Sequence, residues 1–254
     1  KDTFNNVVTM YDAARPTYPL ELLNDIKDFA EKSFFTRGLE IGAGTGQATD
    51  LFIKVINDLD IVEVGDKQVD YLMEKYKSEN VNTYKAYFED FKSNKKYDLI
   101  FSATAFHWVD ATVGYPKVWD MLNDSGVLAV FWHMSSVTLH DTGIFVGLNE
   151  IKKKYLPEES LGFDKEGIEG VRQKRISQIQ SGNYFGIPVI KEYRWIDTYD
   201  ADRYSLLLES YSSTQTLDEE HKKLYLSEVR DYINSNGGVV EMPQHVMLYL
   251  VKKE

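Results

Sequence analysis

Apolar and polar residues alternate along the first half of the chain with two spacings, one typical of helices and one of strands. Leu22, Leu23, Ile26, Phe29 and Ala30 recur at helical spacing and predict a helix over Leu20–Lys32. Short apolar runs predict five strands, over Arg37–Ile41, Asp60–Gly65, Val81–Ala86, Tyr97–Ser102 and Val127–Trp132. Between them we predict helices over about Gly46–Asn57, Gln68–Ser78 and Tyr115–Leu122, and a turn over Asn123–Gly126. This alternation is typical of βαβ units around a parallel sheet.

The pattern changes in the second half of the chain. From about Ser135 to Pro188 it predicts a mostly helical insertion and not a separate domain. A strand over Val189–Thr198, helices over Ala201–Tyr211 and Leu217–Asn236, and a last strand over Val239–Val251 are predicted to follow. Two terminal strands separated by helices fit an antiparallel edge on a mostly parallel sheet. We therefore predict one α/β domain over residues 1–254, with a helical cap insertion over residues 135–188.

Composition narrows the class of protein. The 254 residues carry 29 Lys and Arg against 40 Asp and Glu, a net charge of −11, which argues against binding to nucleic acid through phosphates. The absence of cysteine excludes a disulfide framework, a thiolate nucleophile and Cys-ligated metals. The stretches without charged residues, Leu99–Val109 and Ser125–Leu139, are shorter than the ~20 apolar residues of a membrane span. Lys1–Met10 lacks the apolar core of a signal peptide, so we expect a cytoplasmic protein with no membrane partner.

A glycine cluster, Gly42, Gly44 and Gly46, follows the first predicted strand and opens a predicted helix. Glycines there let the backbone approach a ligand and expose amide groups at a helix N-terminus. Gln47 and Thr49 stand where the dinucleotide fingerprint G-x-G-x-x-G would need its last glycine, and the phosphate loop G-x-x-x-x-G-K-[ST] is absent. The remaining pattern is E-x-G-x-G-x-G. Its acid, Glu40, would repel a pyrophosphate but suits a ligand that carries an ammonium group.

This pattern resembles motif I of the class I S-adenosylmethionine-dependent methyltransferases. The resemblance implies an α/β, Rossmann-like, doubly wound fold with a seven-stranded, mostly parallel sheet. Its strand order would be 3-2-1-4-5-7-6, with strand 7 antiparallel. It also implies S-adenosyl-L-methionine as the cofactor and S-adenosyl-L-homocysteine as the product.

The resemblance also assigns residues to the cofactor. An acid at the end of strand two would bind both ribose hydroxyls, and we assign Asp66 to that role in preference to Glu63, because Tyr71 and Leu72 follow it as in the family's helix-opening pattern. Glu89 would meet the adenine amino group. The expected cofactor-binding set is Glu40, Gly42, Ala43, Gly44, Gly46, Asp66, Phe88, Glu89, Ser102, Tyr11 and Arg15.

Two further segments are similar to a subgroup of small-molecule methyltransferases related to trans-aconitate methyltransferase, the type 11 kind. Residues 101–108 read F-x-x-x-A-x-H-W, and residues 11–19 read Y-x-x-x-R-P-x-Y-P. The second segment implies an N-terminal lid over residues 1–19. From this lid Tyr11 and Arg15 would close over the cofactor's carboxylate or over the acceptor.

Methyl transfer from a sulfonium is an in-line displacement, so the protein mainly aligns the reactants and excludes water. A base is needed only where the acceptor must lose a proton, as an alcohol does; a carboxylate needs none. His107 is our candidate catalytic base, with a purely structural role equally open. The residues expected to line the acceptor pocket, although aromatics at strand ends are also common in cores, are Tyr18, Phe106, His107, Trp108, Trp132 and His133. The scattered histidines form no H-E-x-x-H motif, so we expect no metal site.

The predicted cap would roof a small-molecule acceptor beyond the carboxyl ends of the strands. Its basic residues favour an anionic acceptor, a carboxylate or a hydroxyl compound, although charge runs are more often solvated helix faces; they are Lys152, Lys153, Lys154, Arg172, Lys174 and Arg175. Two alternatives stay open: a non-catalytic protein that binds S-adenosylmethionine, and a methyltransferase of protein or RNA. A nicotinamide-dependent dehydrogenase is disfavoured by the glycine register. The sequence leaves the acceptor, the methylated atom and the oligomeric state undetermined.

Overall fold

The structure, a computed structural model, describes residues 15–134, 143–157 and 167–254. Tyr11, most of the predicted lid and parts of the predicted cap lie outside the described residues. The strands are β1 (Phe35–Ile41), β2 (Ile56–Glu63), β3 (Val81–Lys85), β4 (Tyr97–Ala103), β5 (Leu122–His133), β6 (Val189–Asp200) and β7 (Val239–Lys252). The helices are α1 (Leu20–Ala30), α2 (Thr49–Phe52), α3 (Asp66–Lys75), α4 (Ala111–Met121), α5 (Ile144–Tyr155), α6 (Gly167–Gln180), α7 (Ala201–Glu209), α8 (Ser212–Gln215) and α9 (Glu219–Ser235). None of the described helices is long and apolar enough to cross a membrane.

The seven strands form one sheet in the order β3-β2-β1-β4-β5-β7-β6. Neighbouring strands from β3 to β5 are parallel, and β7 runs antiparallel to β5. The predicted fold class and strand order are thereby confirmed. The order reverses between β1 and β4, and open α/β sheets bind ligands beyond the carboxyl ends of the strands at such a switch point.

The apolar runs at the centre of the sheet determine which strands lie inside. Every residue from Val127 to Phe131 is fully buried, as expected for a strand covered on both faces. On one face Phe52 stacks on Phe101 with ring centroids 4.1 Å apart. The buried positions of α1 fall at the predicted helical spacing; they are Leu22, Leu23, Ile26 and Ala30.

Several predicted boundaries are wrong: strand two starts at Ile56 and not at Asp60, and the helix predicted from Tyr115 starts at Ala111. Three further differences are as follows. The helix after the glycines covers only Thr49–Phe52, because Gly46 is left-handed and the chain enters β2 already at Ile56. Strand two ends at Glu63 and not at Gly65. The predicted turn over Asn123–Gly126 lies within β5, where the left-handed Ser125 and a register shift against β4 absorb the turn-forming residues into an irregular strand start.

The chain divides into two compact units. The sheet unit comprises Thr17–Met134, Ile168–Tyr193 and Val246–Glu254; the appended unit comprises Lys1–Pro16, Ser135–Gly167 and Arg194–His245. This division does not follow the boundaries predicted for the cap, because residues 168–188 group with the sheet and residues 194–245 with the appended unit. Within the appended unit α9 packs against α5 and α7. Its buried core includes Tyr199, Leu207, Tyr225, Val229 and Ile233.

One buried carboxylate joins three elements of the sheet unit. Asp98, on β4, accepts hydrogen bonds from the backbone amides of Thr36 and Arg37 at the start of β1, at 2.8 and 3.2 Å. It also accepts from Lys32, just after α1, and from Asn123 at the start of β5, at 2.9 and 3.1 Å. Burial by itself would raise the pKa of Asp98, but these donors outweigh it and hold the pKa below its usual value.

Replacing this carboxylate therefore tests the packing of the sheet. We expect Asp98→Ala to lower the free energy of unfolding by about 2–4 kcal/mol, because it leaves several buried donors without an acceptor. Glu74→Ala, which removes an exposed ion pair between Glu74 on α3 and Lys77 beyond its end, is the control and should change the free energy of unfolding by less than ~0.5 kcal/mol. Urea unfolding followed by circular dichroism measures both. Equal losses in the two variants would contradict the role assigned to Asp98.

Candidate active site

The loop after β1 has a backbone that only glycine adopts readily. Gly42, Gly44 and Gly46 have φ angles of 72°, 60° and 92°. A Cβ on Gly42 would come within 2.5 Å of Ala105, and one on Gly46 within 2.3 Å of the Tyr76 hydroxyl, so both are required for packing. A Cβ on Gly44 would meet no atom within 4 Å. The loop is thus held tightly at its ends and is open at its middle.

The end of α3 fastens this loop. The Tyr76 hydroxyl donates to the Gly46 carbonyl at 3.1 Å and to Asp50 at 2.7 Å. Lys75 donates to the Thr45 carbonyl at 3.1 Å and pairs with Asp50 at 2.8 Å. These bonds fix the loop from the side of α3.

Glu63, and not Asp66, is the acid at the end of β2. The Glu63 carboxylate is buried and accepts hydrogen bonds from the amides of Gly44, Val64 and Gly65 at 2.9, 2.8 and 3.0 Å. Asp66 begins α3, its side chain is 73% exposed, and it pairs with Lys85. The predicted position of Asp66 at the strand end is therefore wrong. The apolar run of β2 ends at Val62, and that signal already favoured Glu63.

Glu40 lies beneath the glycine loop and is completely shielded from solvent. Its Oε2 accepts a hydrogen bond from the Thr49 hydroxyl at 2.5 Å, while its Oε1 has no hydrogen-bond partner. Burial raises the pKa of Glu40 to about 8, although the Thr49 hydrogen bond opposes the shift. Because its side chain has no solvent-exposed surface, the predicted contact of Glu40 with the cofactor stays a prediction.

Other predicted cofactor residues support the loops around this site. Ser102 is fully buried and donates to the Ile41 carbonyl at 2.7 Å, which joins the ends of β4 and β1. Glu89 accepts from the amide of Asp110 at 3.0 Å, and thereby connects the segment after β3 to the start of α4. Phe88 and Ala43 are buried. Direct contact of these four residues with a cofactor stays a prediction.

The chain leaves β4 through a strained residue. Thr104 has a φ angle of 54°, which β-branched residues rarely adopt. Its hydroxyl lies 3.1 Å from the Tyr18 hydroxyl and accepts from the His133 amide at 3.3 Å. The Tyr18 ring lies 4.9 Å from the His133 ring. Backbone strain of this kind concentrates at functional sites. No sequence signal marked Thr104, because its conformation is imposed by neighbours on β5 and before α1.

His107 follows in the short 3₁₀ turn Phe106–Trp108. Its Nδ1 accepts a hydrogen bond from Nε1 of Trp132 at 3.1 Å, and the guanidinium of Arg175 lies 4.4 Å from the centre of the Trp132 ring. Burial, and then the charge of Arg175, lowers the pKa of His107. Three predicted acceptor residues, His107, Trp132 and His133, thus lie at or just after the ends of β4 and β5, and Tyr18, from the segment before α1, contacts His133 and Thr104.

The other two predicted acceptor residues, Phe106 and Trp108, are placed differently within the sheet unit. Phe106 is a core residue that packs on Tyr115, with ring centroids 4.9 Å apart, and Trp108 is 82% exposed. Within the appended unit, Arg15 donates to the Ser210 carbonyl at 3.1 Å. Its predicted closing movement is untested.

The basic residues of the predicted cap differ in their surroundings. Lys153 and Lys154 pair with Glu150 and Glu228 on helix surfaces, as solvated charges do, and Arg172 pairs with Glu192. Of the six basic residues predicted for the cap, Arg175 is the one that packs on Trp132, beside His107. Within the described residues no cluster of three side chains could hold a metal ion.

The fold and the glycine loop are those of a doubly wound α/β protein, a class whose ligands bind at the switch point of the sheet. Comparisons with known proteins agree. Residues 39–130 match the family described as a methyltransferase domain. A methyltransferase-like protein of Schizosaccharomyces pombe is 28% identical over 54% of this chain and 54% of its own length. Saccharomyces cerevisiae "Probable S-adenosylmethionine-dependent methyltransferase CRG1" is 29% identical over 48% and 43%. The chain spans about half the length of the curated relatives it matches.

Solved structures share the fold. A candidate type II methyltransferase from Anaeromyxobacter dehalogenans superposes with a TM-score of 0.63 at 17% identity, covering 94% of this chain and 96% of that one. The YcgJ protein of Bacillus subtilis gives a TM-score of 0.54 at 16% identity, with coverage of 92% and 99%. Residues 39–130 are thus similar to a methyltransferase domain, and the solved methyltransferase from Anaeromyxobacter dehalogenans shares the fold of the chain.

The raised pKa of Glu40 predicts a specific pH dependence of stability. Because the folded state holds the proton more tightly than the unfolded chain, Glu40 favours folding fully below its ordinary pKa of 4.5, and this contribution is lost as the pH rises through about 8. Glu40→Gln should therefore remove about 2–4 kcal/mol of the fall in unfolding free energy between pH 5 and pH 9. Urea unfolding at a series of pH values measures the two slopes. Parallel slopes for wild type and variant would contradict the assignment, whatever the offset between them.

Proposed function

We propose that the protein transfers a methyl group from S-adenosyl-L-methionine to a small-molecule acceptor and releases S-adenosyl-L-homocysteine. The observation that carries the proposal is the pairing of the open glycine loop with the Glu63 carboxylate at the switch point of the sheet. Three left-handed glycines and an acid one strand away are arranged around Gly44, where a Cβ would meet no atom.

The residues present fit this cofactor chemically. Its ribose offers two hydroxyl donors, and Glu63 is a carboxylate at the end of β2 whose protein partners are three backbone amides. Its methionine end carries an ammonium group, and Glu40 below the loop has a carboxyl oxygen without a partner. An incoming cation would favour the ionised form of Glu40 and thereby offset the cost of its burial.

The bound cofactor supplies an activated methyl group, and the residues of this chain would align the acceptor with it and exclude water. The bend at Thr104, secured through Tyr18, directs the chain from β4 into the turn that carries His107. Tyr18, His107, Trp132 and His133 come from the ends of β4 and β5 and from the segment before α1. They are our proposed acceptor-binding residues.

A small and anionic acceptor fits the charges of the chain. The net charge of −11 disfavours nucleic acid, and the positive charge of Arg175 lies beside the His107–Trp132 pair. We therefore favour a carboxylate or an acidic hydroxyl compound over a macromolecule. An RNA substrate would instead require a positively charged docking surface, and a protein substrate would require a surface whose charge complements that of the substrate.

Cofactor binding can be tested with a matched pair of variants. We expect calorimetry to show that Glu63→Gln weakens the affinity for S-adenosyl-L-methionine about 10- to 100-fold, the range for a lost charge-assisted hydrogen bond. Asp66→Asn, three residues further along, should leave it unchanged, because Asp66 points to solvent and pairs with Lys85. Circular dichroism must show that both variants are folded.

The reverse result, with Asp66→Asn weakened and Glu63→Gln unaffected, would restore Asp66 as the ribose ligand. Absence of binding by the folded wild-type protein would overturn the proposed function. Binding without any methyl transfer across broad acceptor collections would favour a non-catalytic sensor instead.

A further inference from the structure

The hydrogen bond between Trp132 and His107 determines where the imidazole carries its proton. An indole N–H can only donate, so the Nδ1 of His107 that receives it at 3.1 Å must offer a lone pair. A neutral imidazole has one N–H, and with Nδ1 unprotonated it must lie on Nε2. His107 is partly exposed, so its Nε2–H is available to a ligand.

The surroundings of His107 also disfavour its charged form. Protonation of Nδ1 would set two N–H groups against each other and break the bond to Trp132. Burial and the nearby charge of Arg175 both lower the pKa of His107. Arg175 lies over the Trp132 ring and also faces the buried phenols of Tyr115 and Tyr249, whose pKa values are raised by burial. The ring is therefore neutral at pH 7.

We propose that Trp132 is a positioning residue that holds His107 as the neutral tautomer protonated on Nε2, so that His107 donates a hydrogen bond to the acceptor and does not remove a proton from it. The inference deepens the proposed function and depends on it for the identity of the ligand. It replaces our expectation that His107 is a general base: Nδ1 is occupied by Trp132, and Nε2 already carries a proton.

The consequence is a restriction on the acceptor. With no base at His107, the acceptor that fits is one that needs no deprotonation there, such as a carboxylate oxygen that is already ionised, and Arg175 beside Trp132 favours such a charge. The oxygen's electron pair then forms the bond to the methyl carbon, while the carbon–sulfur bond breaks and the sulfur keeps the electron pair of that broken bond. The negative charge on the oxygen and the positive charge on the sulfur are both lost, and no proton has to leave.

The test is the protonation state of the ring, observed by nuclear magnetic resonance on the full chain labelled with ¹⁵N-histidine and without ligand. At pH 7.5 we expect His107 to carry its proton on Nε2. His221 provides an internal contrast, because its Nδ1 faces the carboxylate of Asp218 at 2.7 Å and must donate to it. His107→Gln and His221→Gln assign the two signals.

Variants then separate positioning from simple packing. Trp132→Phe keeps an aromatic ring but removes the donor, and should raise the pKa of His107 by at least half a pH unit. Arg175→Gln should raise that pKa too but leave the proton on Nε2 in the neutral ring. Arg172→Gln, which removes a charge paired with Glu192, should change neither.

A proton on Nδ1, or a charged ring at pH 7.5, in the wild-type protein would overturn the proposal, as would an unchanged pKa in folded Trp132→Phe. If Trp132→Phe does not fold, the wild-type spectrum and the two arginine variants still show whether His107 is neutral and protonated on Nε2. These measurements need no cofactor. A failure here is therefore distinguishable from a failure to bind S-adenosyl-L-methionine, which calorimetry on the wild-type protein reports.

Discussion

The candidate site depends on one constraint, the left-handed backbone of three alternating glycines between β1 and α2. No other residue type adopts φ angles of 72°, 60° and 92° at this spacing without strain. This conformation brings the Gly44 amide to the Glu63 carboxylate at 2.9 Å and the Gly46 carbonyl to the Tyr76 hydroxyl at 3.1 Å. The ends of β1, β2 and α3 are therefore joined by the loop that would receive the ligand, and a side chain at Gly42 or Gly46 would separate them.

The same region holds acids where burial makes them costly. Glu63 offsets that cost with three backbone donors, whereas Glu40 has one partner and a pKa near 8. Keeping a buried carboxyl group with one oxygen that has no hydrogen-bond partner lowers the stability of the free protein. The site gains a group whose ionisation a cationic ligand would favour, so binding and protonation are coupled there.

The side of the site that would face the acceptor is organised differently. Here the positioning bonds run between side chains: Trp132 to His107, and Tyr18 to Thr104. The bond from Trp132 determines which nitrogen of the His107 ring is protonated, and therefore whether the ring can act as a base or as a hydrogen-bond donor. The bond between Tyr18 and Thr104 holds the bend at the end of β4. The chemistry of His107 is thus set by a residue 25 positions away on a neighbouring strand.

The sequence alone was sufficient for the class of fold, the strand order and the glycine loop, because periodicity and left-handed glycines are local properties, and the family resemblance supplied the order. It was insufficient where a residue's role depends on partners from other strands. Asp66 and Glu63 are both acids near one strand end; the apolar run that ends at Val62 favours Glu63, but only the structure shows that the Glu63 carboxylate meets the Gly44 amide. Thr104 has no local reason to be left-handed. His107 could be a base in any sequence reading, and only packing brings the donor of Trp132 onto its Nδ1. Local conformation follows from local chemistry, whereas protonation and orientation depend on neighbours that the fold alone brings together.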